Sequence, residues 1–420
     1  MLELGLHSYL FFLYIRPQDW VPFFLGFPID YLLFAFIITV GFVTHQFKIE
    51  FTPINVFFIL WIIVITFASF SNAEISEGID WAIEYIKRFI VFLTFLFVAH
   101  NINRFKRVVY TMIILSAILG IQNIYQVQHG VGWAGQELGW IDEAARLAGE
   151  KGRAKWVGLW DGMNVLCLLM IVNIPFLMQF YNTGKSKFIK LFLLINSILI
   201  LYGAFLTKSR GGFLTFIIIV FLYFRKKFNS LFGKILIIIV ILGIIGAAPS
   251  RFKTINDDSD SAANRIDMWY EGFDMVRYKP FFGIGMGNYA EYTGTKIAHN
   301  SFIQIMGETG LIGLYVWLTI IYIIFKNLIR ARNSLEDKES DLARYLEAAF
   351  ITLIGYLVSS LFITTEFVLF YMLLGIAASL TRIAGFELEY DFSDAFKVFG
   401  LTIFVILFHY FGMLVFWRLF

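Results

Sequence analysis

The stretch IAHNSFIQIMGETGLIG, residues 297–313, opens on His299 and Asn300 and keeps Gln304 and Glu308 inside an apolar run. A helix starting here leaves unpaired N–H groups and a partial positive charge at its first turn. Those disfavour imidazolium, so His299 is expected to stay neutral and able to accept a proton. The same N–H groups are suited to an anion. At roughly 100° per residue, Asn300, Gln304 and Glu308 fall on one stripe, whereas His299 and Glu308 point nearly opposite ways. A direct His–Glu dyad on this helix is therefore not expected. Gly307, Gly310 and Gly313 make a small-residue face for close helix packing. Against the chemical reading stands a plain one, in which His299 and Asn300 cap the helix and Glu308 pairs with a neighbour. An intramembrane carboxylate is by default a functional hypothesis, so both readings stay open.

Two further stretches carry cations suited to phosphate. In TKSRGGF, residues 207–213, Lys208 and Arg210 sit in a short turn between two apolar runs. A guanidinium recognises phosphate bidentately, and Gly211 and Gly212 would let a ligand approach the backbone. The alternative is snorkelling of both cations to headgroups. In NRIDMW, Arg265 lies in a long polar link that also holds Arg277 and Lys279. Weaker signals sit nearby. Asp258-Ser259-Asp260 spells D-x-D within a polar turn, which is poor support for a metal. GIGMGN, residues 283–288, lacks the G-x-G-x-x-G spacing and follows no strand, so no dinucleotide site is expected. Glu84, Lys87 and Arg88 lie inside an apolar run and are expected to satisfy one another, with a bundle-lining role as the alternative.

The elements that must position these groups are membrane spans. The chain has 420 residues, 59% of them hydrophobic and 15% charged, with 49 Phe, and a mean hydropathy of +0.73. Soluble domains are nearer a quarter charged. The net charge of +3 implies no nucleic-acid partner, and the single Cys167 excludes a disulfide framework or a cysteine metal site. The opening MLELGLHSYLFF lacks a basic leader and a cleavage site, so insertion is expected to rely on the spans. Runs near the required length lie at 2–15, 28–44, 54–71, 82–99, 108–125, 158–181, 188–206, 211–224, 232–248, 301–325, 346–363, 367–384 and 396–417. The expected fold is an all-α polytopic membrane protein with about 12–13 transmembrane helices, forming a single domain over residues 1–420.

Lysine and arginine in the short loops set the sidedness. The clusters Arg104-Lys106-Arg107, Lys185-Lys187-Lys190, Arg225-Lys226-Lys227 and Lys326-Arg330-Arg332 all fall on one side when the spans alternate, and that side is the cytoplasm. Two longer segments then lie outside, at 126–157 and 249–298. The second is rich in aromatics, including Trp269, Tyr270 and Phe273, and is expected to fold against the membrane domain.

Taken in order, Ser209–Gly212, Arg265-x-x-x-Trp269, the G-x-G-x-G-N of Gly283–Asn288, and His299-Asn300 followed by Glu308 and Gly310 resemble the O-antigen ligase and polymerase superfamily. YIRPQDWVP near the N-terminus is similar to members of the same group. The resemblance runs from about residue 200 to 315, and the many-span layout extends it. It implies transfer of a glycan from a polyprenyl diphosphate carrier to a lipid A–core acceptor, or to another carrier-linked glycan in the polymerases. The transfer would occur at the periplasmic face of the bacterial inner membrane. It implies His299 as general base, Arg210 and Arg265 as diphosphate ligands, and Lys208, Asn300, Gln304 and Glu308 in support. No metal or other cofactor is implied. A lipid or polysaccharide transporter is the competing class. It predicts inverted halves, and no such repeat is visible.

Overall fold

The structure, a computed structural model, describes all residues except 48–49, 71–74, 140–146, 148, 150, 226–261, 295 and 418–420. The expected span at 232–248, the Asp258–Asp260 motif and the first part of the 249–298 segment lie outside the described residues. Among those described, the chain is all-α apart from two isolated bridges, Val131–Glu137 and Gly139–Arg153. The other apolar runs are helical over most of their length. Among the described residues seven stretches, with Met163–Thr183 counted as one, are long and apolar enough to cross a membrane, and Leu2–Ile15, Tyr31–Val43, Arg210–Phe224 and Val368–Ile383 are shorter apolar helices. The chain is an all-α, multi-pass membrane protein.

The helices are α1 (Leu2–Ile15), α2 (Ile29–Val43), α3 (Pro53–Phe70), α4 (Ile75–Val98), α5 (Ile102–His129), α6 (Met163–Ile171), α7 (Ile174–Thr183), α8 (Lys187–Leu206) and α9 (Arg210–Phe224). They continue with α10 (Ala262–Tyr278), α11 (Tyr289–Tyr292), α12 (Ser301–Ser334), α13 (Asp341–Ser359), α14 (Val368–Ile383) and α15 (Phe392–Trp417). The run at 158–181 is interrupted between α6 and α7, where Pro175 falls in the first turn of the second piece. Two compact units emerge, one made of residues 1–48, 94–255 and 335–359, the other of 49–93, 256–334 and 360–420.

In the first unit α5 packs on α8, and α9 on α13. The α5–α8 approach is close enough that a Cβ on Gly120 would lie 2.4 Å from the Leu199 carbonyl oxygen. Asn123 Nδ2 donates to the Gly203 carbonyl across the same contact at 3.0 Å, a polar tie of the kind that joins helices in lipid. At one end of α5, Arg104 and Arg107 pair with Glu3 of α1, and Lys106 with Asp341 of α13. At its other end Arg153 and Ala154 reach the end of α8. Arg153 Nε donates to the Thr207 carbonyl at 2.9 Å and Ala154 N to that of Leu206 at 3.0 Å. These satisfy carbonyls that a helix C-terminus leaves open.

In the second unit α12 is the central helix, packed against α3, α10, α14 and α15. Its Lys326 pairs with Asp391 and Asp394 of the α14–α15 link and α15, and Arg330 with Glu389. This basic end is opposite the end that carries His299. The expected glycine face does not form as a plain packing stripe. Gly310 leaves the helix altogether, with φ 69° and ψ −169°, a region open essentially to glycine alone.

The break is filled by the GIGMGN segment. Gly307 and Glu308 carbonyls, which would accept from residues 311 and 312 in an intact helix, accept instead from Ile284 N at 3.1 Å and Gly285 N at 2.9 Å. The freed N–H groups of Leu311 and Ile312 donate to the Pro280 and Phe281 carbonyls at 2.9 and 3.3 Å. Non-helical backbone at membrane depth is tolerated only where protein re-satisfies it. The sequence reading of GIGMGN as no dinucleotide site leaves room for this structural role.

Candidate functional site

The site residues fall into two local arrangements, one in each unit, and the two share a pattern. In the first unit Lys208 has φ 48°, Ser209 caps α9 by accepting from Gly212 N at 3.1 Å, and Arg210 is the first helical residue, exposed. In the second unit His299 has φ 48°, Asn300 caps α12, and Ser301 is the first helical residue. A left-handed residue that is not glycine costs about 1–2 kcal/mol, so each is held there by what surrounds it.

The Asn300 cap is double: Oδ1 accepts from Phe302 N at 3.0 Å and from Ile303 N at 3.3 Å. The plain reading of Asn300 as a cap is thus met, while its Nδ2 is buried without a hydrogen-bond partner. Replacing Asn300 with alanine is expected to destabilise the protein by about 1 kcal/mol, and with aspartate by less. Chemical unfolding of the two variants in detergent checks this.

On the other side of His299, Trp269 of α10 donates its indole N–H to the Ala298 carbonyl at 3.1 Å. Arg265 lies one turn earlier on the same helix, so the Arg-x-x-x-Trp motif is attached to the residue preceding His299. The small core of Met275, Ile284, Tyr289, Ala298 and Ile303, with Trp269 and Phe273 against it, fixes α10 beside this segment.

Gln304 and Glu308 form a linked pair below the cap. Gln304 Nε2 donates to Glu308 Oε1 at 3.1 Å, and its own Oε1 accepts from Thr364 Oγ1 at 2.7 Å. Glu308 is fully buried, and Oε1 also accepts from Tyr289 N at 3.3 Å. The inserted segment is thereby tied to the helix by a carboxylate as well as by backbone. Burial, and next the Glu308 carboxylate, push the Tyr289 hydroxyl well above its ordinary range. It stays protonated and donates to the Met268 carbonyl.

In the first unit, Lys208 Nζ donates to the Lys151 carbonyl at 2.8 Å, so this cation is tied to the backbone at Lys151. Beside it a cavity of about 130 Å³ is lined by Cys167, Ile171, Leu201, Ala204, Phe205, Ser209, Phe213 and Phe216. Glu84, Lys87 and Arg88 do pair, at 3.5 Å for Lys87 and 3.4 Å for Arg88. Arg88 goes further and donates to the Glu366 carbonyl at 2.8 Å. Among the described residues no group of three or more His, Cys, Asp or Glu has the arrangement of a metal site.

Arg153 and residues 364–366 escaped the sequence reading, and the span expected over 346–363 ends instead at Ser359, so that 360–363 belong to the irregular link. The first sits in a link with no motif, and 364–366 is a short junction between two apolar runs.

In a comparison with curated proteins nothing matches the chain. Residues 195–318, which contain Ser209–Gly212, Arg265–Trp269, Gly283–Asn288 and His299–Gly310, match the family model described as O-Antigen ligase, and this region of the chain carries the signature of the O-antigen ligase and polymerase superfamily.

Proposed function

We propose that the protein is a glycosyltransferase that moves a glycan from a polyprenyl diphosphate carrier to an acceptor hydroxyl at the periplasmic face of the bacterial inner membrane. The acceptor is lipid A–core or a second carrier-linked glycan. The observation that carries this reading is the presentation of His299. It stands on strained left-handed backbone at a capped helix mouth, one residue after a carbonyl held by the Arg265–Trp269 helix. Strain of this kind persists where the surroundings over-determine it, and it clusters at functional sites.

In the proposed reaction the acceptor oxygen attacks the anomeric carbon from the face opposite the diphosphate. The bond from that carbon to the diphosphate oxygen breaks, and its electron pair goes to the leaving group. The acceptor proton passes to the neutral ring of His299. Arg210 and Arg265 meet the charge developing on the diphosphate, with Lys208 beside Arg210. The transfer is assigned to these cations without a metal. Gln304 and Glu308 hold the floor of the helix mouth.

The test is reconstitution in vesicles with a radiolabelled carrier-linked glycan and, separately, lipid A–core, a second carrier-linked glycan, or no acceptor, each with and without a chelator. Label appearing on one acceptor decides between ligase and polymerase. Label that crosses the bilayer still joined to its carrier overturns the proposal in favour of transport. In the same assay Arg210→Ala is expected to lower kcat/KM by about 10²-fold. Arg210→Lys should recover only part of this, because an ammonium cannot reproduce a bidentate phosphate contact.

A further inference from the structure

The link between α13 and α14, residues 360–367, is irregular, and Ser360, Ile363, Thr365 and Glu366 within it are buried. It grips the first turn of α12. Ser301 N donates to the Ser360 carbonyl at 2.8 Å. Ser301 Oγ accepts from Thr365 N at 2.8 Å, donates to the Ile363 carbonyl at 3.2 Å, and lies 2.9 Å from Thr365 Oγ1. Thr364 Oγ1 donates to Gln304. The residue after His299 and Asn300 is thus bound to this link through both backbone and side chain.

The link is anchored in turn by Glu366, which is 8% exposed. Its carboxylate accepts from Trp317 Nε1 at 3.0 Å and from the Tyr371 hydroxyl. Tyr371 oxygen accepts from Trp61 Nε1 at 3.2 Å. The Glu366 carbonyl accepts from Arg88 Nη1, and the Arg88 guanidinium lies 4.3 Å from the Tyr85 ring centroid. A buried carboxylate and guanidinium are costly unless engaged, and a connected polar network of this kind favours one geometry, with Arg88 Nε left without a hydrogen bond.

We infer that Glu366 is a positioning residue for His299. The Arg88–Trp317–Tyr371 network fixes Glu366, Glu366 fixes residues 360–365, and these set the first turn of α12 on which His299 is mounted. The role given to His299 rests on the proposed function, whereas the mechanical coupling does not.

The experiment uses the full chain in detergent, with Glu366→Gln, Ser301→Ala and their double variant. Glutamine keeps the volume and one acceptor but sets an amide N–H against a donor. Each single change is expected to lower kcat about tenfold or more, with KM for donor and acceptor within about twofold. The double variant should lose no more than the worse single, as residues in one chain of contacts do. Hydrogen exchange in a peptide covering 297–304 should quicken in all three, while that of 318–325 stays unchanged. Trp317→Phe, which removes one donor to Glu366 and leaves the ring, should show the same pattern if Glu366→Gln fails to fold. Multiplicative losses in the double variant, or unaltered exchange at 297–304, overturn the inference. Should the native protein transfer no glycan, the exchange arm decides alone. Coupled exchange would then uphold the positioning while the proposed function falls.

Discussion

Alanine at position 299 is expected to lower glycan transfer by about 10²–10⁴-fold, the range for loss of a general base, in a protein that still folds and inserts. The structural groups around His299 explain why the fold should survive. The contact from Trp269 ends on the Ala298 carbonyl, and the cap is made by Asn300. Ser301 is held by the 360–365 link. These backbone and side-chain ties hold the helix mouth at residues 298, 300 and 301 on either side of the ring. The backbone supplies a control. With φ at 48°, glycine at 299 relieves strain worth about 1–2 kcal/mol. His299→Gly should therefore unfold at a higher denaturant concentration than His299→Ala and be no more active. Transfer rates measured beside unfolding midpoints separate the two effects. Turnover near the native rate in well-inserted His299→Ala would remove His299 from the reaction.

The sequence reading reached the all-α, multi-pass class because its signal is simple, a set of apolar runs near the length that crosses lipid. It offered His299 and Asn300 as caps only as one of two open readings, and the structure gives the cap to Asn300. It missed what depends on contacts remote along the chain. Glu366 is one carboxylate in a short junction, and nothing local distinguishes it from a solvated link. Its partners Arg88, Trp317 and Tyr371 come from three helices, and Trp61 of a fourth donates to Tyr371. The start of α4 was also set late, at 82, because Glu77, Asp80 and Glu84 lower the hydropathy of a helix that begins at Ile75. Hydropathy measures the solvent of a segment, whereas helical geometry is decided by backbone pairing. The spacing of Gly307, Gly310 and Gly313 suggested a packing face for the same reason, since the pattern is blind to φ.

Gly310→Ala should be among the most damaging single substitutions in the second unit, costing about 3 kcal/mol or more. Two costs act together. At φ 69° and ψ −169° an alanine is strained whatever the space around it. Its Cβ would also lie 2.4 Å from the Phe281 carbonyl carbon and oxygen and 2.7 Å from Phe282 N. The neighbour is backbone, which cannot rotate away as a side chain would. Gly283 faces the same junction from the other side, with φ 66° and a Cβ position 2.4 Å from the Glu308 carbonyl carbon. Gly283→Ala is therefore expected to behave alike. Pushing the two strands apart strands the carbonyls of Gly307 and Glu308 and the N–H groups of Leu311 and Ile312. Each buried group left unpaired costs about 1–3 kcal/mol. Gly400 in α15 is the control, because nothing lies within 4 Å of its Cβ position. Gly400→Ala should be neutral or gain about 0.5–1 kcal/mol from helix propensity. Unfolding midpoints of the three variants in one detergent make the comparison. An unchanged midpoint for Gly310→Ala would mean that α12 can close its own ladder, and the inserted segment would then not be what holds the break open beneath His299.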